Sequence, residues 1–338
     1  MRIGILTFHW ATNYGAILQC YALQEYLRDQ GHDVEIINYK PRHFDFWAKY
    51  VRRPWLLKDF RKDLIARKKE SKLVQFRSKY LNMTKRYYSA EEMNKAQLHY
   101  DIVISGSDQV LNSSFTLYGE NKPTSAYYLQ AFPKSHRIGY AVSFGCNKYP
   151  DIALGYAKQW INYFDKIGVR EQTGLHILDS MGFNGIKQIV PDPTLLRGKA
   201  LFKNIKIEQH NRTNYICAYI LRKHIELPYN NVVYIDDFNN PLSMEQWLDT
   251  IIRSKYLVTN SYHGMIVAIL NHVPFAVLAD ASHMNDRFYS LLGRVGLTNR
   301  ILNKESDISK LEHTPIDWHS VDEELSKFKQ IGADILNV

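Results

Sequence analysis

The 338-residue sequence has only three cysteines, Cys20, Cys146 and Cys217. They are too few, too scattered and of the wrong parity for a disulfide framework or a cysteine-rich metal cage, and a reducing cytosol fits them best. Long hydrophobic runs are missing as well. The most apolar stretch, MIVAILNHVPFAVLA, is interrupted by Asn271, His272 and Pro274 and falls short of the ~20 apolar residues that cross a bilayer. The opening residues MRIGILTFHWATNYG lack a basic leader and a small-residue cleavage site, so they read as a first strand rather than a signal peptide. There is no GxGxxG, no short-period repeat and no low-complexity tract. Without those glycines a pyrophosphate cannot approach the backbone, which argues against a nicotinamide or flavin cofactor.

What is present is a chain that is 45% hydrophobic and 13% aromatic, long enough for two domains of ordinary size. Its net charge of +9 is local. Between Lys40 and Arg86, 16 Lys and Arg stand against Asp45, Asp59, Asp63 and Glu70, so this segment carries +12 and the remainder is slightly acidic. Phe44, Phe46, Trp47, Trp55, Leu56, Leu57 and Phe60 lie among those charges. The segment reads as a helical excursion over about 40–90, either a solvated face or an amphipathic basic surface for anionic lipid or an acidic glycan. No recognisable nucleic-acid module accompanies it, and no nucleic-acid partner is expected.

Elsewhere strand and helix alternate. RIGILTF, the helix GAILQCYALQEYLRDQG and DVEIINY form a βαβ opening, which predicts a parallel sheet. DIVISG, RIGYAVSFG and KIGVRE continue it, with helices near 151–164 and 173–183. Pro191 and Pro193 in QIVPDP mark a crossing. NYICAYIL, NVVYIDDF, YLVTNS and PFAVLA then alternate with helices near 243–254, from 264 and near 285–296. The expectation is an α/β protein of two doubly wound halves, 1–188 and 189–338, the second ending in a helical tail.

In such folds ligands sit beyond the carboxyl ends of strands, where loops run into helix N-termini. That rule selects Asn13 and Gly15 after the first strand, and Ser107, Asp108, Gln109 and Asn112 after DIVISG; Ser107 and Asp108 could equally cap a turn. The pair Arg170 and Glu171 reads as an ion pair or an anion site. After YLVTNS, Asn260 and Ser261 can cap a helix beginning near His263 and Gly264, an arrangement suited to phosphate or carboxylate. Arg287, at the next helix start, can grip an anion in bidentate fashion. Asp236 and Asp237 precede Asn239, Asn240 and Pro241 and read as a solvated turn, so no metal is expected.

Six stretches, ILTFHWATNYGAILQCYALQEYL, DIVISGSDQVLN, VREQTG, VPDPTLL, YLVTNSYHGMIVAILNHVPFAVL and DRFYSLLGRVGL, resemble the polysaccharide pyruvyl transferase family in that order. The resemblance covers about residues 2–40 and 100–300, leaving out the basic excursion and the last forty or so residues. It implies two Rossmann-like domains facing a cleft, similar to GT-B glycosyltransferases, with the acceptor on the first half and the donor on the second. It also implies phosphoenolpyruvate as donor, with no cofactor, and a sugar hydroxyl pair of a cell-surface polysaccharide or its lipid-linked precursor as acceptor. The products would be a pyruvyl ketal and phosphate.

On this resemblance His263 meets the phosphate and delivers a proton, and Asp108 serves as general base. Arg170, Ser261, Tyr262, Gly264 and Arg287 hold the donor; Asn13, Tyr14, Gly15 and Gln109 face the acceptor. A cytoplasmic protein is expected, peripheral at the inner face of the membrane if residues 40–86 touch lipid. A GT-B-like glycosyltransferase using a nucleotide sugar and a non-catalytic partner in glycan assembly stay open as alternatives.

Overall fold

In a computed structural model, most of the short aliphatic runs become strands buried on both faces, as parallel sheets covered by helices require, while the edge strand Val232–Tyr234 stays largely exposed. The structure describes residues 1–45, 60–120, 122–207, 211–222, 225–235, 241–279, 285–302, 308 and 314–337. The aromatic stretch around Trp47 and Trp55 and the pair Asp236 and Asp237 lie outside the described residues.

The first half comprises β1 (Arg2–Leu6), α1 (Tyr14–Asp29), β2 (Asp33–Ile36), α2 (Phe60–Tyr80), α3 (Ala90–Lys95), β3 (Ile102–Ser105), α4 (Ser113–Thr116), β4 (His136–Val142), α5 (Asp151–Ile161), β5 (Lys166–Val169), α6 (Gln172–Met181), β6 (Ile186–Ile189) and α7 (Pro193–Arg197). The second comprises β7 (Ile216–Tyr219), β8 (Val232–Tyr234), α8 (Met244–Arg253), β9 (Tyr256–Thr259), α9 (Tyr262–Leu270), β10 (Phe275–Leu278), α10 (Asp286–Arg294), β11 (Ile301–Leu302) and α11 (Trp318–Leu336).

The strands pair in the orders β2-β1-β3-β4-β5-β6 and β11-β10-β9-β7-β8, every neighbouring pair parallel. The order reverses between β1 and β3 in one sheet and between β7 and β9 in the other, and ligand crevices form at such switch points. β6 and β11 are the strands that apolar runs do not announce. Both are edge strands, and IKQI is nowhere fully buried, so it carries no hydrophobic signature.

The two halves share one core. Tyr14 at the start of α1 is fully buried, stacks on Trp247 of α8 with ring centres 5.0 Å apart, and donates its hydroxyl to the Leu242 carbonyl at 2.7 Å. α1 also packs along α7 and against α9, every residue of which is buried. The expected division at 188/189 therefore needs correcting, because it cuts β6 one residue before its end. The C-terminal helix also departs from expectation: α11 returns to the first half and packs on β4, β5 and α7. A Cβ on its Gly332 would lie 2.6 Å from the Tyr140 hydroxyl and 2.7 Å from Pro191, so glycine is what lets this helix seat there.

α2 lies across the mouth between the halves. Glu70 accepts from Thr12 Oγ1 at 2.7 Å and pairs with buried Arg77. Lys72 donates to the Pro241 carbonyl at 2.6 Å, and the Lys69 ammonium sits 4.4 Å from the Tyr14 ring centre. Several of the segment's cations thus hold structure, while Arg67, Lys68 and Lys79 are exposed. Among the described residues no helix is long and apolar enough to cross a membrane.

Candidate active site

Where the halves meet, strand ends deliver helix N-termini, each with a partial positive charge. Asn13 Oδ1 caps α1 by accepting from the Ala16 amide at 3.1 Å, and Ser261 Oγ caps α9 by accepting from the Gly264 amide at 3.2 Å. Asp192 caps α7, accepting from the Thr194 amide at 2.9 Å and from Thr194 Oγ1 at 2.6 Å. The start of α6 is capped from the other half of the molecule: Asp286 Oδ2 accepts from the Thr173 amide at 3.2 Å and from the Thr173 hydroxyl.

Three of these starts converge on His263. A Cβ on Gly15 would lie 2.1 Å from His263 Nδ1 and 2.4 Å from Cγ, so only glycine lets α1 approach the ring. On its other side, Nε2 stands 3.4 Å from Asp192 Oδ2, an approach of charges without a formed hydrogen bond.

Asp192 also anchors Arg170, whose side chain is 1% exposed. Arg170 Nη2 lies 3.1 Å from Asp192 Oδ2 and Nη1 lies 3.6 Å from Asp108 Oδ1. The guanidinium also donates to Ser107 Oγ, which donates to Asp192 at 3.1 Å. Burial works against charge on both partners, yet the pairing outweighs it. Asp192, facing Arg170 and His263, is held well below the usual carboxylate range, and Asp192 and Asp108 hold Arg170 above its ordinary value.

Arg287, at the start of α10, is held differently. Burial and then the like charge of Arg170 push its pKa down. The two guanidinium carbons stand 5.7 Å (Arg170) and 5.5 Å (Arg287) from the ring centre of buried Tyr262. Four buried polar atoms of this cluster have no hydrogen-bond partner among the described residues: Arg170 Nε, Arg287 Nε, His263 Nε2 and Glu171 Oε2. Native structures rarely leave such groups unpaired. Fixed, desolvated cations with spare donors can receive a small anion and stabilise charge that develops on it.

A sequence model described as polysaccharide pyruvyl transferase matches residues 13–282. The chain belongs to that family. Membership makes it a transferase that acts on a polysaccharide. No match to a curated protein sequence was found.

Among solved structures, the S. aureus MnaA–UDP co-structure superposes with a TM-score of 0.56 at 10% identity, over 99% of this chain and 95% of that one. UDP-GlcNAc 2-epimerase from Methanocaldococcus jannaschii gives 0.55 at 12% identity, over 99% of each chain. The Neisseria meningitidis UDP-GlcNAc 2-epimerase bound to UDP-GlcNAc gives 0.54 at 8% identity, again over 99% of each. At such identities these likenesses concern the fold, which is GT-B-like.

In this pyruvyl transferase family member the structure brings together His263, Arg170, Asp108, Tyr262 and Arg287. Gly15 touches the cluster by giving room to His263, and Ser261 and Gly264 shape the helix start beneath that ring. Gln109 lies beside Asp108, accepting from Asn112 Nδ2 at 3.0 Å, and Asn13 is an exposed cap. Tyr14 needs correcting: with its ring buried and its hydroxyl bonded to Leu242, it joins the two halves and has no surface for an acceptor sugar.

Asp192 belongs to the cluster without having been singled out in the sequence, and Ser107 and Glu171, singled out by position, had been given no role in the reaction. For Asp192 the signal was the Asp-Pro-Thr of VPDPTLL, an N-cap pattern directly after a strand.

Proposed function

We propose that the protein transfers the pyruvyl group of phosphoenolpyruvate to a pair of hydroxyls on a sugar of a cell-surface polysaccharide or its precursor. The observation that carries this reading is the set of buried basic side chains, Arg170, Arg287 and His263, each with an unfilled hydrogen-bonding position, the two guanidiniums lying against Tyr262. Two guanidiniums held close enough to depress the pKa of one are relieved by a compact anion carrying both a carboxylate and a phosphate.

The chemistry balances as follows. His263 gives a proton to the methylene carbon, leaving positive charge on the central carbon, which the first sugar oxygen attacks as Asp108 takes its proton. The carbon–oxygen bond to phosphate then breaks, the second hydroxyl attacks, and its proton ends on the departing phosphate. The products are a pyruvyl ketal, whose central carbon carries a methyl group and the carboxylate, and inorganic phosphate. Asp192 Oδ2 stands 3.4 Å from His263 Nε2 and fixes the orientation of the ring for the first step. Asp108 is the carboxylate with access: its side chain is 19% exposed, whereas that of Asp192 is 0% exposed. We extend the reading to a lipid-linked acceptor at the inner face of the membrane, supported by the exposed cations of α2.

A thermal-shift series with phosphoenolpyruvate, phosphate and UDP-GlcNAc tests the donor, because a ligand of the native state raises its apparent stability. Phosphoenolpyruvate is expected to give the largest rise. A rise with UDP-GlcNAc alone would overturn the proposal in favour of a nucleotide-sugar transferase. His263→Ala is expected to lower phosphate release by about 10²–10⁴-fold, the usual contribution of a positioned acid, with the fold retained by circular dichroism. Wild-type turnover in that variant would remove His263 from the reaction.

A further inference from the structure

Glu171 follows Arg170 directly, two residues past the end of β5, and occupies the N-cap position of α6. It is 7% exposed. One carboxyl oxygen accepts from the Ser143 hydroxyl at 2.6 Å, while the other, Oε2, is buried with no partner among the described residues. The carboxyl borders a void of about 10 Å³ whose wall also includes Cys146, Thr173, Asp286 and Arg287. That is room for roughly one small atom group such as a water or a phosphate oxygen. Asp286 also borders an open crevice of about 540 Å³ lined by Gln172, Tyr289, Ser290 and Glu324. Glu171 and Arg287 thus line the same small void, and Asp286 lines both it and the open crevice.

The structure assigns to Glu171 a second catalytic acid–base role, distinct from that of His263: it protonates the departing phosphate and then accepts the proton of the second sugar hydroxyl. This rests on the pyruvyl-transfer reading above. Addition of the first hydroxyl leaves a tetrahedral carbon bearing methyl, carboxylate, sugar oxygen and phosphate. As the carbon–oxygen bond to phosphate breaks, its electron pair goes to the bridging oxygen, which takes the Glu171 proton. The carboxylate so formed receives the proton of the second hydroxyl as that oxygen bonds to the central carbon, and Glu171 is again a neutral acid. One proton shuttles out and back, with no further co-reactant.

The surroundings suit a carboxyl that spends part of the cycle protonated. Burial pushes Glu171 above the usual carboxylate range, against the Ser143 hydroxyl and the Arg170 and Arg287 cations; Asp286 of α10 adds to the rise. Cys146 and Tyr262 are the other titratable groups that feel its charge.

The test uses the full chain, phosphoenolpyruvate in D₂O, and methyl glycosides of glucose, galactose and mannose as acceptor probes. Deuterium entering the methylene group reports reversible protonation and addition, and phosphate release reports the later step. Glu171→Gln is expected to lower phosphate release by about 10³-fold, keep deuterium incorporation within a few fold of wild type, and accumulate a sugar adduct still carrying phosphate, detectable by mass spectrometry. His263→Ala is expected to lose both signals.

If Glu171 only balances the charge of Arg170 and Arg287, Glu171→Gln shifts the KM for phosphoenolpyruvate and moves both signals together, which overturns the assignment. Ser143→Ala guards against misfolding of the first variant: it keeps the carboxyl and is expected to slow phosphate release without affecting exchange, and equal slowing of both also overturns it. A wild-type enzyme that neither exchanges deuterium nor releases phosphate with any probe overturns the pyruvyl-transfer reading, and the Glu171 role falls with it.

Discussion

Around α2 the chain carries many cations that lie at the surface or are already bonded, whereas the cleft carries two arginines, beside His263, that are largely withdrawn from water. Arg77 has Glu70, Lys72 has the Pro241 carbonyl and Arg86 has Asp45 and the Lys40 carbonyl. In the cleft, the terminal nitrogens of Arg170 are paired with Asp192, Asp108 and Ser107, whereas Arg287 faces another guanidinium; the Nε of each has no hydrogen-bond partner among the described residues. Net charge therefore marks the wrong region. What identifies a binding cation is uncompensated charge in a place that water does not reach, because Coulomb interactions strengthen as the surrounding dielectric falls.

The sharpest way to break this comparison is to remove each cleft arginine and measure stability by urea unfolding. Arg170→Met strands Asp192 in the core without its countercharge and is expected to cost about 3–5 kcal/mol. Arg287→Met removes a charge that is repelled by Arg170 and whose Nε has no hydrogen-bond partner among the described residues, and is expected to change stability by less than about 1 kcal/mol. Equal losses in the two variants would show that Arg287 is as much a structural cation as Arg170. Binding should invert the order of importance: Arg287→Met, still folded, is expected to weaken phosphoenolpyruvate binding by about 1.5–3 kcal/mol, the value of a charge-assisted hydrogen bond, as read by calorimetric titration. Unchanged affinity would take Arg287 out of the donor site.

A pH series separates two buried carboxyls that look alike by exposure. Asp192 is lowered in the folded state, so its contribution is present above the ordinary carboxylate pKa and is lost only as pH falls through the still lower folded value. Glu171 is raised, so the folded state holds its proton more tightly, and its contribution declines as pH rises from the ordinary carboxylate value through the folded one. Unfolding free energies between pH 7 and 2 should accordingly lose part of their acid limb in Asp192→Asn and part of their fall toward neutrality in Glu171→Gln. Parallel pH curves for the two variants would contradict these opposite environments.

The legible part of this molecule was whatever depends on neighbours in sequence. The apolar runs gave the strands, MIVAIL gave a helix buried on all sides, and the position of His263 after YLVTNS placed it at a helix start. The family resemblance supplied the cleft and the roles. What stayed hidden depends on residues far apart in the chain. Gly15 reads as an ordinary loop glycine until His263 is seen against it, and Tyr14 reads as an exposed loop aromatic until Trp247 is stacked on it. Asp192 sits between two prolines and reads as a hinge; its value appears only when the ends of β3, β5 and β9 bring Ser107, Arg170 and His263 onto one carboxylate. α11 escaped because its apolar face says that it packs, without saying on which half.

The smallest expected effect tests the other side of the comparison. Arg67, Lys68 and Lys79 are exposed on α2, whereas Lys69, Lys72 and Arg77 turn toward Tyr14, Pro241 and Glu70. Replacing the three exposed cations with Gln should leave stability within about 0.5 kcal/mol per site and leave phosphate release with a soluble acceptor unchanged, since none of them belongs to the cleft. If this helix meets anionic lipid, each removed cation should weaken binding to phosphatidylserine-rich vesicles by about 1 kcal/mol, and added salt should weaken the wild type in the same direction. A triple variant that sediments with vesicles as well as the wild type would make α2 a solvated strut across the mouth of the cleft. The excess charge of the segment would then serve solubility, and the cleft would hold all the cations that matter to the reaction.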